Sequence, residues 1–555
     1  MTRSLGGVPA APGVAVGPAW RYRPPTAGAA RLTLDEAAVL AAGELDALGE
    51  RLRAAGRPEE AEIFAAQALM AADPELLDVG RELVAQGGTP AAAIISAGES
   101  AAAVLAGLDD ELLAARAADV RDVAQRMARI VGGQAPPRLE RRSIAVATDL
   151  PPSVTAELQP ELLAGIALEG GTRTAHAAIL ARALGIPAVV GVVGLLDALA
   201  TSNVESIAVD GESGEVLLEP DEAATSRLEA RAAAAREQLA RDVDLAARPL
   251  ATRDGERLML GANIGRPQEA AAALAAGAEG IGLFRTEFMF MGRDTAPDEA
   301  TQTEAYAAVL DAFGERPVVI RLIDLGGDKD LPYLEIEPGA NPFLGVRALR
   351  LADRHPELIL TQLRAILAAG ERTGRQPWIM APMVADLADV YRVHELVALA
   401  AFGRALSRPP KVGVMIEVPS AVTLAERIAA EVAFMSIGTN DLTQYLLAAD
   451  RTNPALAARQ DPLHPAVLRS IHAVIEAGHA ADIPVAVCGE MAGEPAGALA
   501  LLGLGIDELS MDPVAFGAVK RALAGVTRDE AAAAVHAAMQ ADRVEDARAA
   551  MDVLR

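Results

Sequence analysis

The chain has 555 residues, 52% of them hydrophobic, and a formal net charge of −26. This length predicts several domains. The apolar fraction argues against a disordered chain, and the acidic balance argues against a nucleic-acid partner held through its phosphates. Cys488 is the single cysteine, so an intrachain disulfide is excluded, as is typical of cytoplasmic proteins. We expect no membrane insertion, since no apolar run approaches the length of a spanning helix and no signal-peptide pattern is present.

The first 250 residues change character three times. Short apolar segments in residues 1–22 predict strands, and residues 23–137 place apolar side chains at helical spacing between Gly, Pro and Asp. Residues 138–220 return to short strand-like runs, which predicts an α/β domain that residues 1–22 complete. The helical domain is then an insertion. Residues 221–250 predict a charged helix that links two domains, and its position disfavours the alternative of an ordinary surface helix.

Residues 251–555 follow one regular pattern, in which apolar strand-like runs alternate with helical segments. The eight runs are 257–263, 280–287, 318–327, 378–384, 411–419, 434–442, 484–491 and 508–512. Eight such units predict a (β/α)₈ barrel. The predicted fold class is therefore α/β multidomain, with an α/β domain, an inserted α-helical domain and a carboxyl-terminal (β/α)₈ barrel.

Polar side chains follow these runs, where a barrel of this type has its active site. They are Arg285, Arg321, Lys329, Arg347, Glu417, Asn440, Asp441, Arg451 and Cys488. Each alone would be an ordinary loop residue. Together, the arginines suit a ligand with carboxylate and phosphate groups, and Glu417 and Asp441 offer the oxygen ligands that Mg²⁺ takes. The set predicts a small, dense anion bound together with a divalent cation.

Cys488 and His176 each allow more than one interpretation. A lone cysteine is commonly a small buried hydrophobe, but the strand-end position of Cys488 favours a proton donor to a carbanion or enolate, with a nucleophile as the alternative. His176 lies between a Gly/Thr-rich segment and an Ala/Leu-rich run, so helix cap, metal ligand and nucleophile are all open. The stretch by itself leaves these alternatives open.

Several motifs resemble Enzyme I of the bacterial phosphotransferase system, the phosphoenolpyruvate–protein phosphotransferases. The most specific are GLFRTEFMFMGRD and SIGTNDLTQY, and GGTRTAHAAILARALGIPAVVG and VAVCGEMAGEP add to the likeness, which covers nearly the whole chain. The resemblance implies that phosphoenolpyruvate and Mg²⁺ bind in the barrel. Phosphate then passes to a histidine on a swivelling α/β domain and on to the carrier protein HPr, releasing pyruvate as the first step of sugar uptake.

The same resemblance implies a role for each candidate residue. His176 matches the histidine phosphorylated at Nε2, and Cys488 matches the acid that protonates the enolate. Glu417 and Asp441 match the metal ligands. The positions that match substrate contacts are Arg285, Arg321, Asn440, Asp441, Arg451, Lys329 and Arg347. The stretch 112–127 matches the HPr-docking segment, the helix at 221–250 is the expected hinge, and a homodimer through the barrel is implied.

Three positions depart from the family pattern, and three other functions compete. Ala175 stands where serine is common and Thr172 where glycine is usual, both beside His176, while Ala381 replaces a frequent phenylalanine. Pyruvate phosphate dikinase and phosphoenolpyruvate synthase would need a large nucleotide-binding domain, for which the helical block is too short. The nitrogen-branch paralogue would carry an additional sensory domain before residue 7. A non-catalytic scaffold is disfavoured by the complete set of polar residues.

Overall fold

Two compact units make up the chain, residues 1–237 and 238–555, and the division falls within the helix Glu222–Ala246. The structure is a computed structural model. It describes residues 3–25, 30–54, 58–107, 116–171, 176–201, 204–326, 331, 333–334, 341–404, 406, 408–451, 453, 456 and 459–554. No helix among the described residues combines the length and apolar character that crossing a bilayer demands.

The first unit contains an eight-stranded mixed sheet in the order β1-β8-β7-β3-β4-β5-β6-β2. The strands are β1 (Arg3–Gly6), β2 (Val8–Ala11), β3 (Val14–Arg21), β4 (Ser143–Ala147), β5 (Leu163–Leu168), β6 (Ala188–Val190), β7 (Ser206–Asp210) and β8 (Glu215–Leu218). Strands β3 to β6 pair in parallel, and antiparallel pairs attach the remaining strands. Strands β1 to β3, within residues 3–21, therefore share one sheet with strands that follow the whole helical insertion.

Helices fill the interval between β3 and β4. Those in the described residues are Leu34–Ala54, Pro58–Ala71, Pro74–Ala85, Pro90–Ala106 and Ala117–Val131. Two of them begin in the same way: Asp73 and Thr89 each accept a hydrogen bond from a backbone N–H of the first turn, and proline follows at once. The capping oxygen satisfies a donor that the helix cannot, and proline supplies a helical φ without a wasted N–H. The sequence thus starts these helices sharply.

Three shorter helices accompany the sheet, Pro152–Glu157, His176–Ala183 and Leu195–Thr201. The long helix Glu222–Ala246 then follows β8. Its early residues Ala224 and Leu228 pack on Ala208 and Leu217 of the first unit. In the second unit, the Lys520 ammonium donates to the Ala246 carbonyl at 2.5 Å, which satisfies one of the free carbonyls of the last turn.

The second unit is a closed barrel of eight parallel strands in chain order, with β16 pairing with β9. The strands are β9 (Met259–Ile264), β10 (Gly280–Phe284), β11 (Val318–Arg321), β12 (Trp378–Ala381), β13 (Lys411–Ile416), β14 (Met435–Ile437), β15 (Val485–Val487) and β16 (Glu508–Met511). The main helices of this unit are Glu269–Ala275, Glu299–Phe313, Pro356–Thr373, Leu387–Ala401, Pro419–Thr423, Ala425–Ala429, Thr439–Leu447, Pro465–Ala480, Pro495–Leu504, Phe516–Ala524, Arg528–Gln540 and Val544–Asp552. The predicted fold class is confirmed, and each of the eight predicted runs contains one strand.

Most of the predicted runs extend past their strands, and the runs 318–327 and 434–442 do so by the largest margin. The run 434–442 holds a strand of three residues, after which Gly438 leads into the helix Thr439–Leu447. Asn440 and Asp441 therefore belong to the first turn of a helix, where Asn and Asp are favoured because they bond to nearby backbone groups. The run 318–327 ends as a strand at Arg321, and the chain turns at Gly326, whose φ is +102°.

Candidate active site

The carboxyl ends of the barrel strands surround a cavity of about 1100 Å³. Eight of the predicted site residues line it: Arg285, Arg321, Arg347, Glu417, Asn440, Asp441, Arg451 and Cys488. They come from segments that follow five different strands, β10, β11, β13, β14 and β15. Parallel strands in a barrel all end at the same face, so residues far apart in the chain meet there.

Other predicted residues are not placed in this cavity. Lys329, Thr172 and Ala175 lie outside the described residues. His176 is the first residue of the helix His176–Ala183 in the first unit, and its side chain lies outside the described part of the structure.

Arg321, at the end of β11, is buried among carboxylates. One guanidinium nitrogen donates to Glu287 Oε1 at 2.9 Å, and the other lies 3.5 Å from Asp324 Oδ2. Burial opposes the charge, yet the carboxylates of Glu287, Asp324 and Glu417 hold the pKa of Arg321 above its usual value. The side chain is therefore a fixed positive charge on the cavity wall.

Arg347 precedes a short 3₁₀ helix after β11 and is 5% exposed. Its Nε and Nη2 donate to the two oxygens of Asp324 at 3.0 and 2.7 Å, a bidentate pair that fixes the plane of the guanidinium. The same Nη2 lies 3.4 Å from Asp441 Oδ2. Burial again opposes the charge, but the Asp324 carboxylate keeps the pKa of Arg347 above its usual value.

Glu417 follows β13 and points a fully buried carboxyl at the cavity. Its Oε1 accepts from the Met383 N–H at 2.7 Å, and a Cβ at Gly438 would lie 2.6 Å from Oε2. Met383 adopts a φ of +58°, an uncommon conformation for a residue with a side chain. Burial, together with the carboxylates of Asp441 and Asp324, raises the pKa of Glu417 to about 8. The ionised carboxylates of Glu417, Asp441 and Asp324 therefore repel one another.

A divalent cation would reduce the repulsion between the carboxylates of Glu417 and Asp441. Asp441 Oδ1 is buried and has no hydrogen-bond partner among the described residues, so it offers a free ligand atom. Across the described residues, no group of three or more His, Cys, Asp or Glu side chains is arranged to hold a metal ion. Glu417 and Asp441 would thus supply two ligands, which suits Mg²⁺, because this ion commonly takes one or two carboxylates and completes its shell with substrate oxygens and water.

Cys488 follows β15 and is 2% exposed, at the base of the cavity. It packs with Leu283, Met380 and Met415 inside the barrel. Burial raises the pKa of the Cys488 thiol to about 11, and the thiol donates to the Ile437 carbonyl at 3.8 Å. The group therefore carries its proton at neutral pH, which favours a proton donor over a thiolate nucleophile.

Arg285, Asn440 and Arg451 complete the set. Asn440 Oδ1 accepts from the Glu490 N–H at 3.0 Å, and Arg451 lies with one guanidinium nitrogen 3.7 Å from Asp441 Oδ1. Within the described residues, Arg285 has no carboxylate within ion-pair distance, although it lines the cavity. It is therefore the arginine here whose charge the surrounding protein leaves without a partner.

Two buried carboxylates that line the cavity were not among the predicted site residues. Glu287 and Asp324 are 2% and 4% exposed, and both line the cavity behind the arginines. Both occur in the strand-end runs that the sequence singles out. A buried acid within three residues of an arginine was an available signal, but the pairing of Arg321 with Glu287 joins two different strand ends and needs the folded barrel.

Family models match three successive parts of the chain. The model described as "PEP-utilising enzyme, N-terminal" matches residues 6–116, and the "mobile domain" of the same enzymes matches residues 139–214. The "PEP-binding domain" matches residues 239–528, which is more than half of the chain. The first match covers β2, β3 and much of the helical insertion, the second covers β4 to β7 of the sheet, and the third covers the barrel strands.

Several curated proteins are similar over most of their length. The phosphoenolpyruvate-protein phosphotransferase of Geobacillus stearothermophilus is 38% identical over 552 residues, which cover 96% of this chain and 94% of that protein. The phosphoenolpyruvate-protein phosphotransferase of Streptomyces coelicolor is 43% identical over 493 residues, covering 88% of this chain and 86% of its own. A multiphosphoryl transfer protein of Rhodobacter capsulatus is 41% identical over 536 residues, covering 94% of this chain and 64% of its own. The chain therefore belongs to the phosphoenolpyruvate–protein phosphotransferase family.

Proposed function

We propose that this enzyme transfers the phosphoryl group of phosphoenolpyruvate to its own His176 and then to the carrier protein HPr, releasing pyruvate. This is the first step of sugar uptake by the phosphotransferase system. The observation that carries the proposal is the barrel cavity, where several arginines, the neighbouring carboxyls of Glu417 and Asp441 and a protonated thiol meet. A phosphate donor that leaves an enolate needs these three kinds of group.

The domains take separate parts in this reaction. Residues 251–555 bind phosphoenolpyruvate, and residues 1–22 with 138–220 form the swivelling domain that carries the phosphohistidine. Residues 23–137 bind HPr, and residues 221–250 form the helical linker. Support comes from the family matches to a mobile domain and a PEP-binding domain, and from the division of the chain within the linker helix.

The arginines bind and orient the substrate. Arg285, Arg321, Arg347 and Arg451 contact its phosphate and carboxylate, with Asn440 and Lys329 as further contacts. Guanidinium groups suit this role because they bind both anions through paired hydrogen bonds. Glu417 and Asp441 hold Mg²⁺, which neutralises phosphoryl charge when it is bound. Transfer then depends on position and on charge neutralisation more than on covalent assistance.

The chemical step moves one phosphoryl group and one proton. The lone pair of neutral His176 forms the N–P bond while the bond from phosphorus to the enol oxygen breaks, and the electron pair stays on that oxygen. The enolate then takes the proton of the Cys488 thiol at its terminal carbon, which yields pyruvate. The high pKa of Cys488 keeps the proton available until the enolate forms. Solvent returns a proton to the thiolate.

The resemblance also assigns a cytoplasmic location and a homodimer through the barrel domain. The first agrees with a chain whose one cysteine cannot form an intrachain disulfide. Residues 112–127 contain the proposed HPr contact. Of these, residues 116–127 fall in the described part, mostly within the helix Ala117–Val131.

The test follows the phosphate. Incubation with labelled phosphoenolpyruvate and Mg²⁺ should leave acid-labile phosphate on the wild-type protein and none on His176→Ala. His472→Ala, which removes an exposed histidine paired with Glu476, is the matched control and should label normally. Label that persists in His176→Ala refutes this histidine as the acceptor. Label that requires ATP favours a dikinase instead. Transfer from the labelled enzyme to purified HPr then tests the second step.

A further inference from the structure

Asp324 stands between the two buried arginines of the cavity. Its Oδ1 accepts from Arg347 Nε at 3.0 Å, and its Oδ2 accepts from Arg347 Nη2 at 2.7 Å and lies 3.5 Å from Arg321. Asp324 is 4% exposed, so these contacts are shielded from bulk solvent. One carboxylate thus binds two guanidinium groups that extend from different parts of the chain.

The position of Asp324 is itself fixed from behind. Its backbone N–H donates to Glu287 Oε1 at 2.8 Å, and the same oxygen accepts from Arg321 at 2.9 Å. Glu287, Arg321 and Asp324 therefore restrain one another through these contacts.

The Arg347 guanidinium lies near two carboxylates, those of Asp324 and Asp441. Its Nη2 lies 2.7 Å from Asp324 but 3.4 Å from Asp441 Oδ2, which is long for a charge-assisted hydrogen bond. Asp441 Oδ1 is buried without a hydrogen-bond partner among the described residues. The two-pronged contact with Asp324 thus holds Arg347 just short of a full pair with Asp441.

We infer that Asp324 is a positioning residue that holds Arg347 away from Asp441 and so keeps Asp441 open to a divalent cation. A buried guanidinium does not remain unpaired, because an uncompensated buried charge is costly. Without the Asp324 carboxylate, Arg347 moves onto its nearest remaining acid, Asp441, and competes with the cation for that ligand. The inference rests on the proposed function, in which Asp441 holds the metal.

The variant Asp324→Asn tests this without a large change of shape. Mn²⁺ is titrated into the full-length protein, without phosphoenolpyruvate, and free Mn²⁺ is followed by electron paramagnetic resonance. We expect Mn²⁺ affinity to fall about tenfold or more, as is typical when a group that orients metal ligands is lost. Asp353→Asn, an exposed aspartate of the same segment, should bind Mn²⁺ like wild type.

A double variant separates positioning from simple damage. In Asp324→Asn with Arg347→Met the competing guanidinium is gone, so Mn²⁺ affinity should return towards the wild-type value. A structural defect would instead leave the double variant as weak as the single one, or weaker, and that result overturns the inference. Unchanged Mn²⁺ binding in Asp324→Asn also overturns it. The proposed function fails on a different result, a wild-type protein that takes no phosphate from phosphoenolpyruvate.

Discussion

Each unit of the molecule contains a buried cluster of arginines and carboxylates. The two clusters differ in how completely their positive and negative charges pair with one another. In the helical insertion, Arg126 donates to Glu44 and Glu157 at 2.6 Å each, and Arg129 pairs with the same Glu44. These pairs join the helix Ala117–Val131 to its neighbours, and the buried carboxyl of Asp122 lies close to Arg126 as well.

The cavity of the barrel has a different balance. Arg285 has no carboxylate partner among the described residues, while burial, and then the carboxylates of Asp441 and Asp324, raise the pKa of Glu417 to about 8. The unpaired guanidinium of Arg285 and the mutually repelling carboxylates of Glu417 and Asp441 thus line one cavity of about 1100 Å³. An anion bound with a cation resolves both at once.

Unpaired buried atoms alone do not distinguish the two clusters. The Nε atoms of Arg126 and of Arg321 both lack an acceptor among the described residues. The barrel cluster is distinguished as a site by charged side chains that line a cavity and have no ionic partner. This agrees with the general link between ionisable groups with shifted pKa values and function. Buried ion pairs by themselves indicate structure as often as chemistry.

The largest expected effect is at the unpartnered arginine. Arg285→Ala should lower kcat/KM for pyruvate release about 10²- to 10³-fold, as loss of one preorganised charge contact commonly does. Arg285→Lys should fall in between, since an ammonium keeps the charge but loses the fork. Steady-state kinetics measure both, with Arg372→Ala, an exposed arginine of the barrel, as control. Wild-type kinetics in Arg285→Ala would remove the contrast between the clusters.

The balanced cluster should respond in stability. Arg126→Met leaves Glu44 and Glu157 without their buried partner, which costs about 3 kcal/mol or more. Hydrogen exchange in the helices Leu34–Ala54 and Ala117–Val131 should become about 10²-fold faster, while phosphoenolpyruvate binding, measured by calorimetry, stays unchanged.

Arg81→Met is the control for that experiment. It removes the exposed pairs with Asp35 and Asp78, and exchange should not change measurably because solvent screens such pairs. Weakened substrate binding in Arg126→Met, with exchange rates unaltered, would contradict a purely structural role for the helical cluster.

A smaller effect is expected at a lone acid in the barrel. Burial, and then Glu279 and Asp507, raise the pKa of Glu508 to about 7. Its Oε1 is buried without a hydrogen-bond partner in the described structure and lies against the backbone, since a Cβ at Gly261 or Gly282 would be 2.3 Å away. Here one charge is unbalanced and no cavity of the catalytic kind surrounds it among the described residues.

The sign of the pH dependence follows from linkage. The folded protein binds the Glu508 proton more tightly than the unfolded chain, so this contribution to stability is complete below about pH 4.5 and is lost as the pH rises to about 7. The loss should be about 1–3 kcal/mol. Urea unfolding of the barrel at pH 5 and 7 should show a smaller difference in Glu508→Gln than in wild type. An equal difference in both would mean that Glu508 does not titrate in this range.

Strand-end residues were predictable, and their mutual contacts were not. The period of apolar runs after residue 250 locates eight strands and the polar groups that follow them. Glu287 and Asp324 stand in the same runs as Arg285 and Arg321. Their role depends on contacts between neighbouring strand ends, and no spacing along the chain shows that one oxygen of Glu287 serves both Arg321 and Asp324.

Local context also redirected one prediction. Asn440 and Asp441 were expected at a strand end and lie in the first turn of the helix Thr439–Leu447. The backbone turns at Gly438, where the side chain of Glu417 from the preceding strand occupies the space that a Cβ would need. The contact between the Glu417 side chain and Gly438 therefore decides where the helix Thr439–Leu447 begins.

The sequence by itself determined the class of this protein, because apolar period, helix-capping residues and specific motifs are properties of short segments. It also named the residues at the active face, since every strand of a parallel barrel ends there. The tertiary structure alone decided which charges cancel and which remain. Charge balance depends on distance and burial. The Asp324 carboxylate, 2.7 Å from Arg347 Nη2, binds this arginine closely, whereas the Asp441 carboxylate lies 3.4 Å away and is bound less closely.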